Sequence, residues 1–143
     1  MYFSLSASFF SGVSLVAVVG DDFCQSKREL LSDFKIDLSG LDTAEGDTFR
    51  WEGIYDSQDS NNRDTIKTEL NVFANFSPNL HSSHKKSEYL FLANIDPTLQ
   101  LDILKQMASR PRLVALDTMD FWIDNHAIQL TETIKTVDVL FMD

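Results

Sequence analysis

Short apolar runs alternate along this chain with amphipathic stretches of helix length. Residues 13–19 (VSLVAVV) precede 26–34, residues 89–93 (YLFLA) precede 97–108, and residues 113–116 (LVAL) precede 127–136; a fourth run, 137–142 (VDVLFM), follows. Short uninterrupted apolar runs separated by helices predict parallel strands buried on both faces. In 97–108, Leu99, Ile103, Leu104 and Met107 recur at helical spacing. Pro97 suits that helix's first turn and Asp96 its N-cap. The pattern predicts an α/β fold of three layers, a mainly parallel sheet flanked by helices around a Rossmann-like core.

One stretch breaks the rhythm. Between Gly46 and Phe73 there is no helical signal. Residues 48–55 (TFRWEGIY) set Phe49, Trp51, Gly53 and Tyr55 against Thr48, Arg50, Glu52 and Ile54. Residues 65–73 (TIKTELNVF) set Ile66, Thr68, Leu70 and Val72 against Lys67, Glu69 and Asn71. Period two on both sides of a polar segment, 56–64, predicts a two-stranded antiparallel hairpin within 46–76, standing apart from the parallel sheet. Its Phe49, Trp51 and Tyr55 face needs a partner: the parent domain, a ligand or a second subunit. A homodimer through the hairpin is therefore one expectation.

Composition narrows the class. A length of 143 residues with 43% apolar content suffices for one buried core. No run reaches the length of a membrane-spanning helix, and the opening MYFSLSASFF lacks the basic segment and cleavage site of a signal peptide. The single cysteine, Cys24, excludes an internal disulfide or a cysteine zinc cluster and suits a reducing cytoplasm. A net charge of −10 argues against a nucleic-acid partner, which would demand clustered Lys and Arg. His81 and His84 are spaced i, i+3 without further ligands nearby, which predicts a surface helix start and not a metal site. No phosphate-binding loop, G-x-G-x-x-G or nucleophilic triad is present.

At the exit of the first run, Gly20 permits a tight turn, and Asp21 and Asp22 can accept hydrogen bonds from nearby backbone N–H groups. This stretch, VSLVAVVGDDF, resembles the strand and "G-D-D-x-x-G" turn of ribokinase-like (PfkB-type) sugar kinases. Further pieces follow in the family's order. KIDLSGL (35–41), as the end of a helix, is similar to its "G-V-D-x-S". EGDTFRWEGIYD sits where its lid strands begin, and NVFANFSP resembles the "G-A-N-x-x-L-(S/T)-P" that closes the lid. SEYLFLANIDP resembles its next parallel strand, and RLVALDTMDFW its "D-x-N-x-R-x-x-(L)-W", with Asp117 and Trp122 at matching places. VDVLFMD resembles the strand leading to "N-x-x-E". Departures are Phe10 for a glycine, and Met119 and Phe121 for Asn and Arg.

The resemblance implies a partial ribokinase-like domain over 1–143 with a lid hairpin at 46–76, entering the fold inside its first helix. The family's Gly-Gly turn, first strand, "N-x-x-E" metal motif and "G-A-G-D" anion hole with its base are not in this sequence. The implied function is that of a fragment of an ATP-dependent carbohydrate or nucleoside kinase, inactive by itself, whose complete form uses ATP and Mg to phosphorylate a hydroxyl of a small-molecule sugar or nucleoside. No catalytic or metal-binding residue is assigned. Arg50 and Glu52 on the first lid strand, Asn75 at the lid's return and Asn94 at a strand exit are the implied substrate contacts, with Asp117 on the nucleotide side. Each has a plainer reading. Arg50 and Glu52 fit a solvated strand face or an ion pair with Lys67 or Glu69, Asn75 a turn, Asn94 a helix cap and Asp117 a loop. The alternative function is a non-catalytic α/β binding or dimerisation module.

Overall fold

The computed structural model describes residues 1–55 and 63–142; most of the polar segment expected to join the hairpin strands, 56–62, lies outside the described residues. The chain divides into two compact units, Met1–Phe76 and Ser77–Asp143.

The first unit begins with a helix, α1 (Tyr2–Ser8), followed by β1 (Ser14–Val19), α2 (Gln25–Asp33) and β2 (Asp37–Thr43). β2 runs parallel to β1, with Val16 opposite Gly40 and Val19 opposite Thr43. From Asp37 onward the chain is thus a strand where the helix was expected to end. The helix stops earlier because Lys35 turns left-handed (φ 56°), and Lys35 N donates to Ser32 O at 2.8 Å and Ile36 N to Leu31 O at 3.1 Å. That double closure is a Schellman cap, and it places buried Ile36 and Leu31 on either side of the turn. β2 has few apolar residues to announce it. It forms because the ladder groups of β1 require a neighbour.

The hairpin is present. β3 (Arg50–Tyr55) and β4 (Arg63–Glu69) pair antiparallel, Arg50 opposite Glu69 and Glu52 opposite Lys67. The register then slips so that Gly53 faces Thr65, leaving Ile66 as the extra residue of a β-bulge. β4 ends at Glu69, short of Phe73, because Asn71 adopts φ 49° and Asn71–Asn75 winds into a 3₁₀ turn. Trp51 folds over its own strand. A Cβ on Gly53 would stand 2.4 Å from the indole Cζ2 and Cη2, the ring meets Tyr55 edge-on at 6.2 Å, and Nε1 donates to Thr65 Oγ1 at 3.2 Å. Even so, Ile54, Tyr55 and Ile66 remain 61%, 55% and 56% exposed.

The second unit is a three-stranded parallel sheet in the order β5 (Tyr89–Leu92), β6 (Leu113–Thr118), β7 (Val139–Met142). α3 (Pro97–Gln106) links β5 to β6, while α4 (Asp120–Asn125) and α5 (Ala127–Ile134) link β6 to β7. α3 starts as its sequence dictates, with Asp96 Oδ1 accepting from Thr98 N at 2.7 Å and Pro97 in the first turn. Its Ile103, with Leu130 of α5 and Val114, Ala115 and Leu116 of β6, forms the buried core. Thr133 of α5, itself buried, donates to Pro97 O at 3.1 Å and joins the two helices. β7 departs from the expected two-sided burial: Leu140, Phe141 and Met142 are exposed. The histidines also differ from expectation. His81 is exposed, but His84 is buried in a 3₁₀ turn, His84–Lys86, and stacks on His81 at 5.3 Å with rings 8° apart.

Candidate functional site

Parallel α/β sheets bind ligands beyond the carboxyl ends of their strands, and the exits of β1, β5 and β6 hold connected polar networks. At the exit of β1, Gly20 lies against the segment leading into β3. A Cβ there would come within 2.1 Å of Gly46 O, 2.5 Å of Asp47 C and 2.6 Å of Thr48 N. All three are backbone atoms, so only glycine allows the approach. The aspartates that follow accept amide hydrogen bonds, as their sequence suggests. Asp21 Oδ2 accepts from Gly46 N at 3.0 Å, and Asp22 Oδ1 from Thr48 N at 2.7 Å and Thr48 Oγ1 at 2.6 Å.

Thr48 is the node of this network. Besides its two bonds to Asp22, its Oγ1 accepts from Gly20 N at 2.9 Å and its carbonyl accepts from Asn71 Nδ2 at 3.0 Å. Arg50 completes the arrangement with a 2.9 Å ion pair from Nη2 to Asp22 Oδ2. The Thr48 hydroxyl, then the Arg50 guanidinium and the Thr48 amide, hold the Asp22 carboxyl far below the usual carboxylate range. The same bond raises the pKa of Arg50. A cleft of about 380 Å³ opens here, lined by Asp22, Phe23, Lys27, Thr48, Phe49 and Arg50. Cys24, the exposed N-cap of α2, has its thiol pKa lowered by the Ser26 hydroxyl 3.2 Å away and by the Lys27 amide.

At the exits of β5 and β6, Gln100 is wholly buried and serves as a clamp. Its Nε2 donates to Ala93 O at 2.8 Å and to Asp117 O at 3.0 Å, tying the residue that follows β5 to the penultimate residue of β6. Two carbonyl partners fix the amide's orientation, and they leave its Oε1 buried without a partner, as is Thr118 Oγ1. Asn94 does not cap α3; its Oδ1 accepts from Trp122 Nε1 at 2.8 Å. Trp122 in turn meets Phe121 at 4.9 Å and His126 at 5.1 Å, both edge-on.

The residues singled out in the sequence fall into two groups. Asn94 and Asp117 sit at adjacent strand exits of the second unit, and the Gln100 clamp holds Asp117 O together with the carbonyl of Ala93, the residue before Asn94. Arg50, Glu52 and Asn75 belong to the first unit. Arg50 is held by Asp22 instead of a cross-strand partner, Glu52 is exposed opposite Lys67, and Asn75 is exposed at the end of the 3₁₀ turn. Thr48 and Gln100 were not singled out. Thr48 read as one polar position of an alternating strand, and a glutamine in an amphipathic helix reads as surface. Among the described residues no three His, Cys, Asp or Glu side chains converge to hold a metal ion, and no helix is long and apolar enough to cross a membrane.

No protein-family model matches the chain, and no curated protein matches it. Solved structures do. The nucleoside kinase of Methanocaldococcus jannaschii, an archaeal member of the ribokinase family, superposes with a TM-score of 0.68 at 21% identity, over 97% of this chain and 46% of that one. The ribokinase of Thermotoga maritima superposes with a TM-score of 0.62 at 15% identity, over 97% of this chain and 57% of that one. The chain therefore carries the ribokinase-like fold, antiparallel hairpin included, over a span about half the length of the two kinases it matches.

Proposed function

We propose that the chain is the hairpin-bearing part of a kinase that phosphorylates a hydroxyl of a sugar or nucleoside with ATP and Mg. The observation that carries this reading is the ribokinase-like fold over 97% of the chain, shared with a nucleoside kinase and a ribokinase. In it, Arg50, Glu52 and Asn75 of the first unit, and separately Asn94 of the second, are the side chains offered to substrate hydroxyls, through charge-assisted and amide hydrogen bonds. Asp117 faces the nucleotide. Bound Mg and ATP supply the transferable phosphoryl group and neutralise its charge. This chain supplies the recognition side chains, from the hairpin strand β3, the 3₁₀ turn after β4 and the exit of β5. The general base and anion hole that the family resemblance implies are not among these 143 residues, so the chain by itself binds without turning over.

Ligand-observed NMR of the 143-residue chain against pentoses, hexoses and nucleosides tests this. One class is expected to bind, with Asn94→Ala and Arg50→Ala each weakening it, and with no ATP-dependent phosphorylation of any sugar. Failure of every sugar and nucleoside to bind would overturn the reading, and turnover would refute the missing-base argument. A second reading, a dimerisation module, draws on the exposed Ile54, Tyr55 and Ile66 of the hairpin. Sedimentation of the parent and of Ile54→Ser/Ile66→Ser checks it: a dimer that the double variant dissolves supports pairing through the hairpin, and a monomeric parent removes it.

A further inference from the structure

We infer that Asp22 is the hinge lock of the hairpin, its carboxylate fixing the direction in which the β3–β4 pair leaves the first unit. The hairpin has little else to orient it. Both faces of β3 and β4 carry exposed residues, among them Ile54, Tyr55 and Ile66, and the Trp51 ring packs on Gly53 and Tyr55 of its own strand. Side chains that pack within the hairpin hold its strands together but do not fix its angle to the β1–β2 sheet. Orientation must therefore come from its base, where the bonds converge on one turn.

Three hydrogen bonds reach Asp22 from two residues of the β3 strand and its approach: Thr48 N, Thr48 Oγ1 and Arg50 Nη2, at 2.7, 2.6 and 2.9 Å. Gly20 N adds a fourth tie to Thr48 Oγ1 at 2.9 Å. On the β4 side the hydrogen bonds among the described residues run to the approach of β3, Asn71 Nδ2 to Thr48 O at 3.0 Å and Val72 N to Asp47 O at 3.1 Å, and the 3₁₀ turn that follows β4 packs on β1. The segment that Asp22 grips thus carries hydrogen bonds to both feet of the hairpin. The grip is directional because the two carboxylate oxygens are divided, Oδ1 to Thr48 and Oδ2 to Arg50. Rotation of the hairpin about its base must break one arm or the other. A few residues at the end of an element that absorb such a rotation make a hinge.

The lock is read by a distance across it. A spin label on the exposed Cys24 and a second on Asp64→Cys in β4 measure the hairpin against the first unit by pulsed electron resonance. The parent is expected to give one narrow interspin distribution. Asp22→Asn, which keeps the shape but cannot accept on both oxygens, should give a broadened or displaced one, with β3–β4 cross-strand contacts retained by NMR. An unchanged distribution overturns the inference, and so does loss of the cross-strand contacts, since Asp22 would then support the hairpin's formation and not its direction. If Asp22→Asn does not fold, Thr48→Val/Arg50→Gln removes the side-chain donors from the other side and is judged by the same criterion; failure of both to fold also overturns it, because a lock that only orients leaves β1–β2 intact. The measurement needs no sugar or nucleotide, so it stands or falls apart from the kinase reading.

Discussion

Replacing Gln100 separates a structural clamp from an ordinary buried polar residue. Its Nε2 satisfies two carbonyls, Ala93 O and Asp117 O, while its own Oε1 goes unpaired. Leaving a buried acceptor unsatisfied costs about 1–3 kcal/mol. Gln100→Leu removes both bonds to these carbonyls together with the unpaired Oε1, and the net loss is about 1–3 kcal/mol. Gln100→Glu keeps the shape but cannot donate when ionised, and it places a negative charge against the same two carbonyl oxygens. Burial and those carbonyls raise the folded-state pKa of the new carboxyl above its unfolded value of about 4.3. A raised pKa contributes stability that is fully present below the unfolded value and is lost as pH rises through the folded one. Gln100→Glu should thus be less stable than Gln100→Leu at pH 7. Near pH 4 the protonated acid donates to one carbonyl, and the order should reverse or close. Urea unfolding followed by tryptophan fluorescence, with the parent measured at each pH for subtraction, gives the comparison. Equal stability of the two variants at pH 7, or a gap there that does not narrow on acidification, would refute the clamp.

Gly20→Ala brings a methyl carbon within 2.1 Å of Gly46 O and should cost about 1–3 kcal/mol by forcing the backbone apart; an unchanged Tm would show that the segment before β3 yields freely. Lys35→Gly acts in the opposite direction. Lys35 holds φ 56°, strain that glycine relieves at some cost in unfolded-chain entropy, for a net gain of about 0.5–1 kcal/mol in unfolding free energy, read as a higher urea midpoint; a loss of stability would mean that the Lys35 side chain contributes contacts of its own.

Which parts were legible follows from how far each signal reaches along the chain. The strands at 14–19, 89–92 and 113–118 and their helices were visible because their apolar residues are close in sequence and the burial they announce is local. The hairpin showed itself by period two on both arms. β2 did not, since DLSGLDT carries only two leucines and exists through its pairing with β1, 23 residues away between Ser14 and Asp37. The early stop of β4 turned on the left-handed backbone of Asn71, which no periodicity encodes.

The candidate site divides along the same line. Gly20, Asp21 and Asp22 were readable as a turn that accepts amide hydrogen bonds, because glycine and aspartate carry that chemistry wherever they stand. That the amides belong to Gly46 and Thr48, and that Arg50 answers Asp22 and not Glu69, depended on how the chain folds back on itself. Gln100 was invisible for a related reason: a helix pattern tells which face turns inward, but not which carbonyls await a glutamine there. Sequence alone thus determined the kinds of element and their order, through side-chain chemistry and period. Tertiary structure decided the partners, since a hydrogen bond between residues 17 or 26 positions apart has no trace in either one's neighbours.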